Sequence, residues 1–144
     1  MIINGVDLKD FSKEELFGFI DISSEIVSGI YVVIQKNDNN SEIVKIGESE
    51  SIFSRFANYL SPFRTIKERD SNNRKTKREF RKIMQEGINN GCKYYYTIKE
   101  IKDKTERKDS EKLLIKEYLS TNRKKPKMNN EKWINKYLKY LDSK

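Results

Sequence analysis

Residues 28–60, "SGIYVVIQKNDNNSEIVKIGESESIFSRFANYL", contain a tyrosine, a lysine and an arginine. The stretch reads as a strand hairpin followed by a helix, and neither element needs these side chains at these positions. A phenol can accept a proton near neutral pH only if its pKa falls well below its ordinary value of about 10. A lysine ammonium nearby favours the phenolate. A guanidinium can hold a phosphate through two parallel hydrogen bonds. Tyr31, Lys45 and Arg55 are therefore candidates for chemistry on a phosphate group.

The composition narrows the chemistry that this chain can perform. It contains no histidine and one cysteine, Cys92. Imidazole bases, Ser-His triads, histidine-containing metal sites, an internal disulfide and cysteine-built zinc sites are excluded within it. A hydrolase built on these residues would have to use Tyr, Lys, Glu, Asp or Arg. The net charge of +8 favours a polyanionic partner, with nucleic acid ahead of a membrane surface.

The periodicity of apolar residues predicts the elements that would position these side chains. Ser12 and Glu15 fit a capping box, which predicts a helix over 12–21. "GIYVVIQK" and "EIVKIG" read as a hairpin and "CKYYYTIKEI" as a third strand. Helices are predicted in "SESIFSRFANYL", in "TKREFRKIMQEG" (with Gly87 as its stop), in "DSEKLLIKEYLS" and in "EKWINKYLKYL", and 61–75 is predicted to be a loop.

This order predicts a small α+β fold, with a three-stranded, mostly antiparallel sheet flanked by helices. We expect one compact domain, in which 1–28 form an N-terminal helical extension packed on a core of 29–144. The chain has no apolar run near the roughly 20 residues of a membrane span and no secretory signal pattern at its start. We therefore expect a cytoplasmic protein that does not bind membranes.

Several short motifs occur in a characteristic order along the chain. They are "GIY" at residues 29–31, "KIG" at 45–47, Arg55 with Tyr59 on the next helix, "EKLLIKEY" at 111–118, and "KPKMN" ending in Asn129. Together they resemble the GIY-YIG nuclease superfamily over residues 29–129. That superfamily usually has a second tyrosine where this chain has Lys45, although lysine variants occur among its restriction endonucleases. The resemblance implies a GIY-YIG-like fold and a DNA endonuclease that hydrolyses phosphodiester bonds with one divalent metal ion, Mg²⁺ or Mn²⁺.

The resemblance also implies roles for individual residues. Tyr31 would activate water, Arg55 and Lys45 would hold the phosphate, and Glu111 would bind the metal. Whether Tyr31 or Lys45 is the general base stays open, as does Glu117 in place of Glu111. Leu114, Ile115 and Tyr118 follow Glu111 at helical spacing, which favours Glu111 as the residue that faces a cleft. Asn129 would either bond near the site or cap the last helix.

Clustered basic residues predict a DNA-binding surface that neutralises phosphates. Its candidates are Arg64, Lys67, Arg69, Arg74, Lys75, Arg78, Arg81, Lys124 and Lys125. The substrate would be duplex or branched DNA, and cutting both strands with one active site per chain would need a homodimer or two visits. The alternatives are a catalytically inactive nucleic-acid-binding module on the same fold, and a protein- or RNA-binding domain in which "GIY" is coincidental.

Overall fold

The computed structural model describes residues 1–15, 27–52, 54 and 73–143. Its strands are β1 (Ile2–Ile3), β2 (Val6–Asp7), β3 (Ser12–Glu15), β4 (Gly29–Asn37), β5 (Asn40–Ser49) and β6 (Lys93–Glu100). Its helices are α1 (Asn73–Asn89), α2 (Lys104–Asn122) and α3 (Lys132–Asp142). None of these described helices is long and apolar enough to cross a bilayer.

The predicted fold class is confirmed, because the core is an antiparallel sheet of β4, β5 and β6 flanked by helices. Strand β6 pairs with β4, and β4 pairs with β5, so the hairpin predicted from the sequence forms one half of the sheet. The full order is β3-β6-β4-β5, and β1 and β2 form a separate two-stranded ribbon. Strand β5 therefore lies at one edge of the main sheet.

The helix predicted from Ser12 is wrong over the part that the structure describes. Residues Ser12–Glu15 form strand β3, which pairs antiparallel with residues 95–98 of β6. A capping-box pattern is a local signal, and tertiary pairing with an unpaired strand overrides such signals. The described residues 1–15 are thus strands and turns rather than a helical extension, and the rest of that predicted helix lies outside the described residues.

Both faces of the sheet are buried, which explains the continuous apolar run in β4. Side chains alternate along a strand. Tyr31 and Val33 therefore belong to one apolar cluster, with Phe80 and Met84 of α1. The other cluster lies on the opposite face and joins sheet residues to β1, β2, α2 and α3: Val32, Ile34, Ile43, Ile46, Ile3, Val6, Ile115, Tyr118, Leu119 and Ile134.

Helix α1 departs from its predicted ends. It begins at Asn73 and runs past Gly87 to Asn89, so Gly87 is not its stop. A β-carbon at Gly87 would overlap the hydroxyl of Tyr94. The glycine therefore allows the tyrosine ring to approach the helix backbone, and the chain turns at Gly91, whose φ is +84°.

Candidate functional site

The register of the hairpin places Tyr31 and Lys45 on the same face of the sheet. Tyr31 lies opposite Gly47, and Val33 lies opposite Lys45. Directly opposed residues of antiparallel strands project to the same side, and so do alternate residues of one strand. The sequence left this register open, and the structure gives the arrangement that a Tyr31–Lys45 pair would require.

Gly47 accommodates the ring of Tyr31. A β-carbon at Gly47 would overlap Cζ and Oη of that ring. The phenol of Tyr31 therefore extends across β5 towards the edge of the sheet. Gly47 is required by this close approach of a side chain.

Tyr31 and Lys45 are both buried. Tyr31 is 1% exposed and packs in the apolar cluster on the α1 side, so its phenol is not open to solvent. Lys45 is 7% exposed, and its Nζ donates a hydrogen bond of 3.4 Å to the carbonyl oxygen of Met128. Lys45 is thus a buried side chain held by the segment after α2, not a solvated lysine at a strand end.

Asn129 pairs with the edge of β5. It is fully buried; its Oδ1 accepts a 2.9 Å bond from the backbone N–H of Ile46, and its Nδ2 donates a 2.8 Å bond to the carbonyl of Ile46. The amide also donates to the carboxylate of Glu131, and the N–H of Met128 donates to the carbonyl of Val44 at 2.8 Å. The residue at the N-cap of α3 is Glu131, so a capping role for Asn129 is wrong.

The two candidate metal ligands differ in exposure. Glu111 is partly buried and lies one turn before the buried Ile115, whereas Glu117 is exposed. The helical-face argument that favoured Glu111 therefore agrees with the packing of α2. However, Ile115 belongs to the apolar cluster on the face opposite Tyr31. Tyr31 and the inward side of α2 therefore lie on opposite faces of the sheet. Among the described residues, no group of three acidic or cysteine side chains could hold a metal.

An ion pair that the sequence did not indicate joins α2 to the end of β5. Arg107 is 1% exposed; its Nε donates to Oε2 of Glu48 at 2.7 Å, and its guanidinium also donates to the carbonyl of Lys102 at 3.1 Å. Glu48 directly follows Gly47, and Arg107 lies one turn before Glu111. The pair therefore fixes the start of α2 beside the "KIG" strand. The four-residue spacing of Arg107, Glu111 and Ile115 was the available signal for an inward-facing arginine.

A polar groove of about 420 Å³ lies where β5 ends and α2 begins. It is lined by Glu48, Ser49, Glu50, Ser51, Ser54, Lys104, Arg107 and Lys108. The lining mixes cations with the carboxylates of Glu48 and Glu50, and the guanidinium of Arg107 is paired with Glu48.

Several predicted site residues fall outside the structural description. Arg55, Tyr59, Arg64, Lys67 and Arg69 lie outside the described residues, and Arg74, Lys75 and Arg78 are described only as backbone of α1. Arg81 is partly buried on α1. Lys124 is exposed after α2, and Lys125 donates from Nζ to the carbonyl of Asn129 at 2.9 Å, so Lys125 helps to hold the Asn129 segment.

Comparison of the chain with protein-family models, curated proteins and solved structures finds no match. Its function must therefore be argued from its residues and their arrangement.

Proposed function

We propose that the chain is a metal-dependent DNA endonuclease of the GIY-YIG type. The observation that supports this is the meeting of separate motif elements at strand β5. The Tyr31 ring lies against Gly47, Lys45 bonds to Met128, and Asn129 bonds both backbone groups of Ile46, the residue between Lys45 and Gly47. Asn129 and Ile46 are separated by 83 positions in the sequence, so the fold brings two of the motif segments together.

The chemistry follows from the residue types. The phenolate form of Tyr31 would accept a proton from the attacking water and become a phenol, and the Lys45 ammonium on the same sheet face would favour that phenolate. Arg55 would clamp the scissile phosphate through its guanidinium. Glu111 is a single hard carboxylate, which suits Mg²⁺ or Mn²⁺ with water and phosphate oxygens as further ligands. The bound ion would supply Lewis-acid stabilisation of the developing charge.

The substrate in this proposal is duplex or branched DNA, and the products carry a 5′-phosphate and a 3′-hydroxyl. The net charge of +8 agrees with a polyanionic substrate. Since each chain would hold one active site, cleavage of both strands requires a homodimer or two successive visits. A cytoplasmic setting belongs to the same proposal.

A second candidate is a nucleic-acid-binding module on this fold that does not cleave. Two observations favour it: the 1% exposure of Tyr31, and the packing of α2 on the sheet face opposite that residue. In such a module neither the phenol of Tyr31 nor the carboxylate of Glu111 would act on a phosphate.

Supercoiled plasmid separates the two candidates. Wild-type protein, Glu111→Ala and Glu117→Ala are incubated with plasmid and millimolar Mg²⁺, with EDTA as the metal-free control. The endonuclease predicts metal-dependent nicking that Glu111→Ala abolishes and Glu117→Ala, a matched loss of charge on the same helix, retains. Salt-sensitive binding without nicking by any of the three would establish the module, and absence of binding would reject both candidates.

Tyr31→Phe then tests the role of the phenol. It removes one hydroxyl and keeps the ring against Gly47. If Tyr31 activates water, this variant binds plasmid like the wild type but does not nick it. Nicking at the wild-type rate would reassign proton transfer to Lys45.

A further inference from the structure

Four lysines are spaced evenly along one side of α2. Lys104, Lys108, Lys112 and Lys116 follow one another at four-residue intervals, which places successive side chains one turn apart on the same side of a helix. At about 1.5 Å of rise per residue, the row extends over roughly 18 Å. The first three lysines are exposed and Lys116 is partly exposed.

This row is not explained by the stability of the helix. Like charges four residues apart repel each other on a helix surface. In the part of the chain that the structure describes, none of the four lysines forms an ion pair that would offset this repulsion. A row of unpaired ammonium groups is suited to the regularly spaced phosphates of a nucleic acid strand.

Aromatic rings of α3 lie beside the second half of the row. The Nζ of Lys112 is 5.5 Å from the ring centroid of Trp133, and the Nζ of Lys116 is 5.2 Å from that of Tyr137. Tyr140, which is 49% exposed, continues the line, with its ring centroid 5.8 Å from that of Tyr137. With Lys136 these residues line a groove of about 210 Å³ that has no carboxylate in its lining.

Flat aromatic faces beside ammonium groups match the way proteins hold unpaired bases. Bases stack on the rings while the cations follow the backbone, and neither contact requires a particular base. In this groove the lysines themselves cover the ring faces. A lysine that turns to a phosphate would uncover its ring for a base. A duplex keeps its bases stacked on each other and would leave these rings unused.

We propose that the side of α2 next to α3 binds single-stranded nucleic acid, with phosphates on Lys112 and Lys116, the half of the lysine row beside α3, and unpaired bases on Trp133, Tyr137 and Tyr140. The proposal uses neither Tyr31 nor Glu111. It is tested without metal, so its failure and the failure of the endonuclease proposal can be told apart.

Trp133 provides a direct measurement, because it is the only tryptophan of the chain. The full chain is titrated with a dT oligonucleotide of about 12 nucleotides in EDTA, and tryptophan fluorescence is followed. We expect saturable quenching that weakens as salt rises, since single-strand binding releases counterions. A duplex of the same length should bind at least tenfold more weakly. Unchanged fluorescence, or equal quenching by the duplex, would overturn the proposal.

Matched variants locate the surface. Lys112→Gln with Lys116→Gln should weaken binding about tenfold and lower the slope of log affinity against log salt by about 1.4, as two lost contacts predict. The control, Lys36→Gln with Lys93→Gln, removes the same charge from a separate groove and should change neither value beyond twofold. An equal loss of affinity in both double variants would mean that the oligonucleotide is attracted by the overall positive charge of the protein, and would reject this site.

Tyr140 separates stacking from simple apolar contact. Tyr140→Phe keeps the ring and should retain binding within twofold. Tyr140→Leu removes the ring and should weaken binding several-fold. Because Tyr140 is half exposed, both variants should melt like the wild type by circular dichroism. Equal binding by Phe and Leu variants would contradict stacking at this position.

Discussion

Asn129 occupies the hydrogen-bonding position of a neighbouring strand beside Ile46. Its side-chain amide meets the N–H and the C=O of Ile46 at 2.9 and 2.8 Å, as a peptide group of a paired strand would. Met128 continues this pairing through the carbonyl of Val44. The segment after α2 therefore completes β5 at the point where Lys45 and Gly47 face Tyr31.

Asn129→Ala should destabilise the protein by about 2–4 kcal/mol, because it leaves two buried backbone groups of Ile46 without partners. Urea unfolding followed by far-UV circular dichroism measures this change. Asn135→Ala, on the exposed side of α3, is the control and should stay within about 0.5 kcal/mol of the wild type. Equal stability of the two variants would mean that the amide bonds contribute nothing to folding.

Arg107→Met should lower the free energy of unfolding by about 2–4 kcal/mol, since it removes the partner of the largely buried Glu48 carboxylate. The Glu48 side chain is 20% exposed, so some solvation of its charge remains. Adding Glu48→Gln removes that charge, and the double variant should be more stable than Arg107→Met alone. A double-mutant cycle by urea unfolding gives the coupling, and strictly additive effects would contradict a direct interaction.

Gly47→Ala should destabilise the hairpin because its β-carbon overlaps the Tyr31 ring. Tyr31→Leu shortens that side chain, so the double variant should lose less stability than the two single changes together predict. The expected coupling is about 1–3 kcal/mol. Gly91→Ala is the control. No atom lies within 4 Å of the added β-carbon, so this change causes only backbone strain, because φ at this position is +84°. Its effect on stability should not depend on the residue at position 31.

Stability should fall at high pH through two buried phenols. Burial raises the pKa of Tyr94 to about 12 from its usual 10.0, with Cys92, Glu42 and Glu86 as further causes, and burial likewise raises the pKa of Tyr118 to about 12. Below pH 10 both phenols keep their protons in the folded and unfolded states, so they give no pH dependence. Between pH 10 and about 12 the unfolded chain loses protons that the folded protein retains. Each tyrosine then removes up to about 2–3 kcal/mol of stability.

Tyr94→Phe isolates one of these contributions. The variant loses the 2.8 Å bond that the Tyr94 hydroxyl donates to Gln35. Its free energy of unfolding should therefore be about 1 kcal/mol lower than that of the wild type at neutral pH. Above pH 10 its unfolding free energy should fall less steeply than that of the wild type. Urea midpoints measured from pH 8 to 11 provide the test, and parallel curves would contradict the assignment to Tyr94.

Local patterns predicted the elements that bury a regular apolar stripe. The alternation in "GIYVVIQK" and "EIVKIG", and the stripe of Leu114, Ile115 and Tyr118, gave the hairpin and the inward face of α2. Strand β3 was missed because four residues carry too little pattern to outweigh a capping signal. Arg107 and Glu48 are 59 positions apart in the sequence, and Asn129 and Ile46 are 83 positions apart. These partners meet because α2 packs on the sheet, and no local sequence signal indicates them. The roles of Arg55 and Tyr59 remain predictions.

The position of β5 at the sheet edge has a consequence for solubility. An uncovered edge strand offers unpaired backbone groups to another molecule and is a common start of aggregation. Here Met128 bonds to the carbonyl of Val44, and Asn129 bonds to both backbone groups of Ile46, in the middle of that edge. A chain shortened before this segment would expose the edge, and we expect it to self-associate through strand pairing.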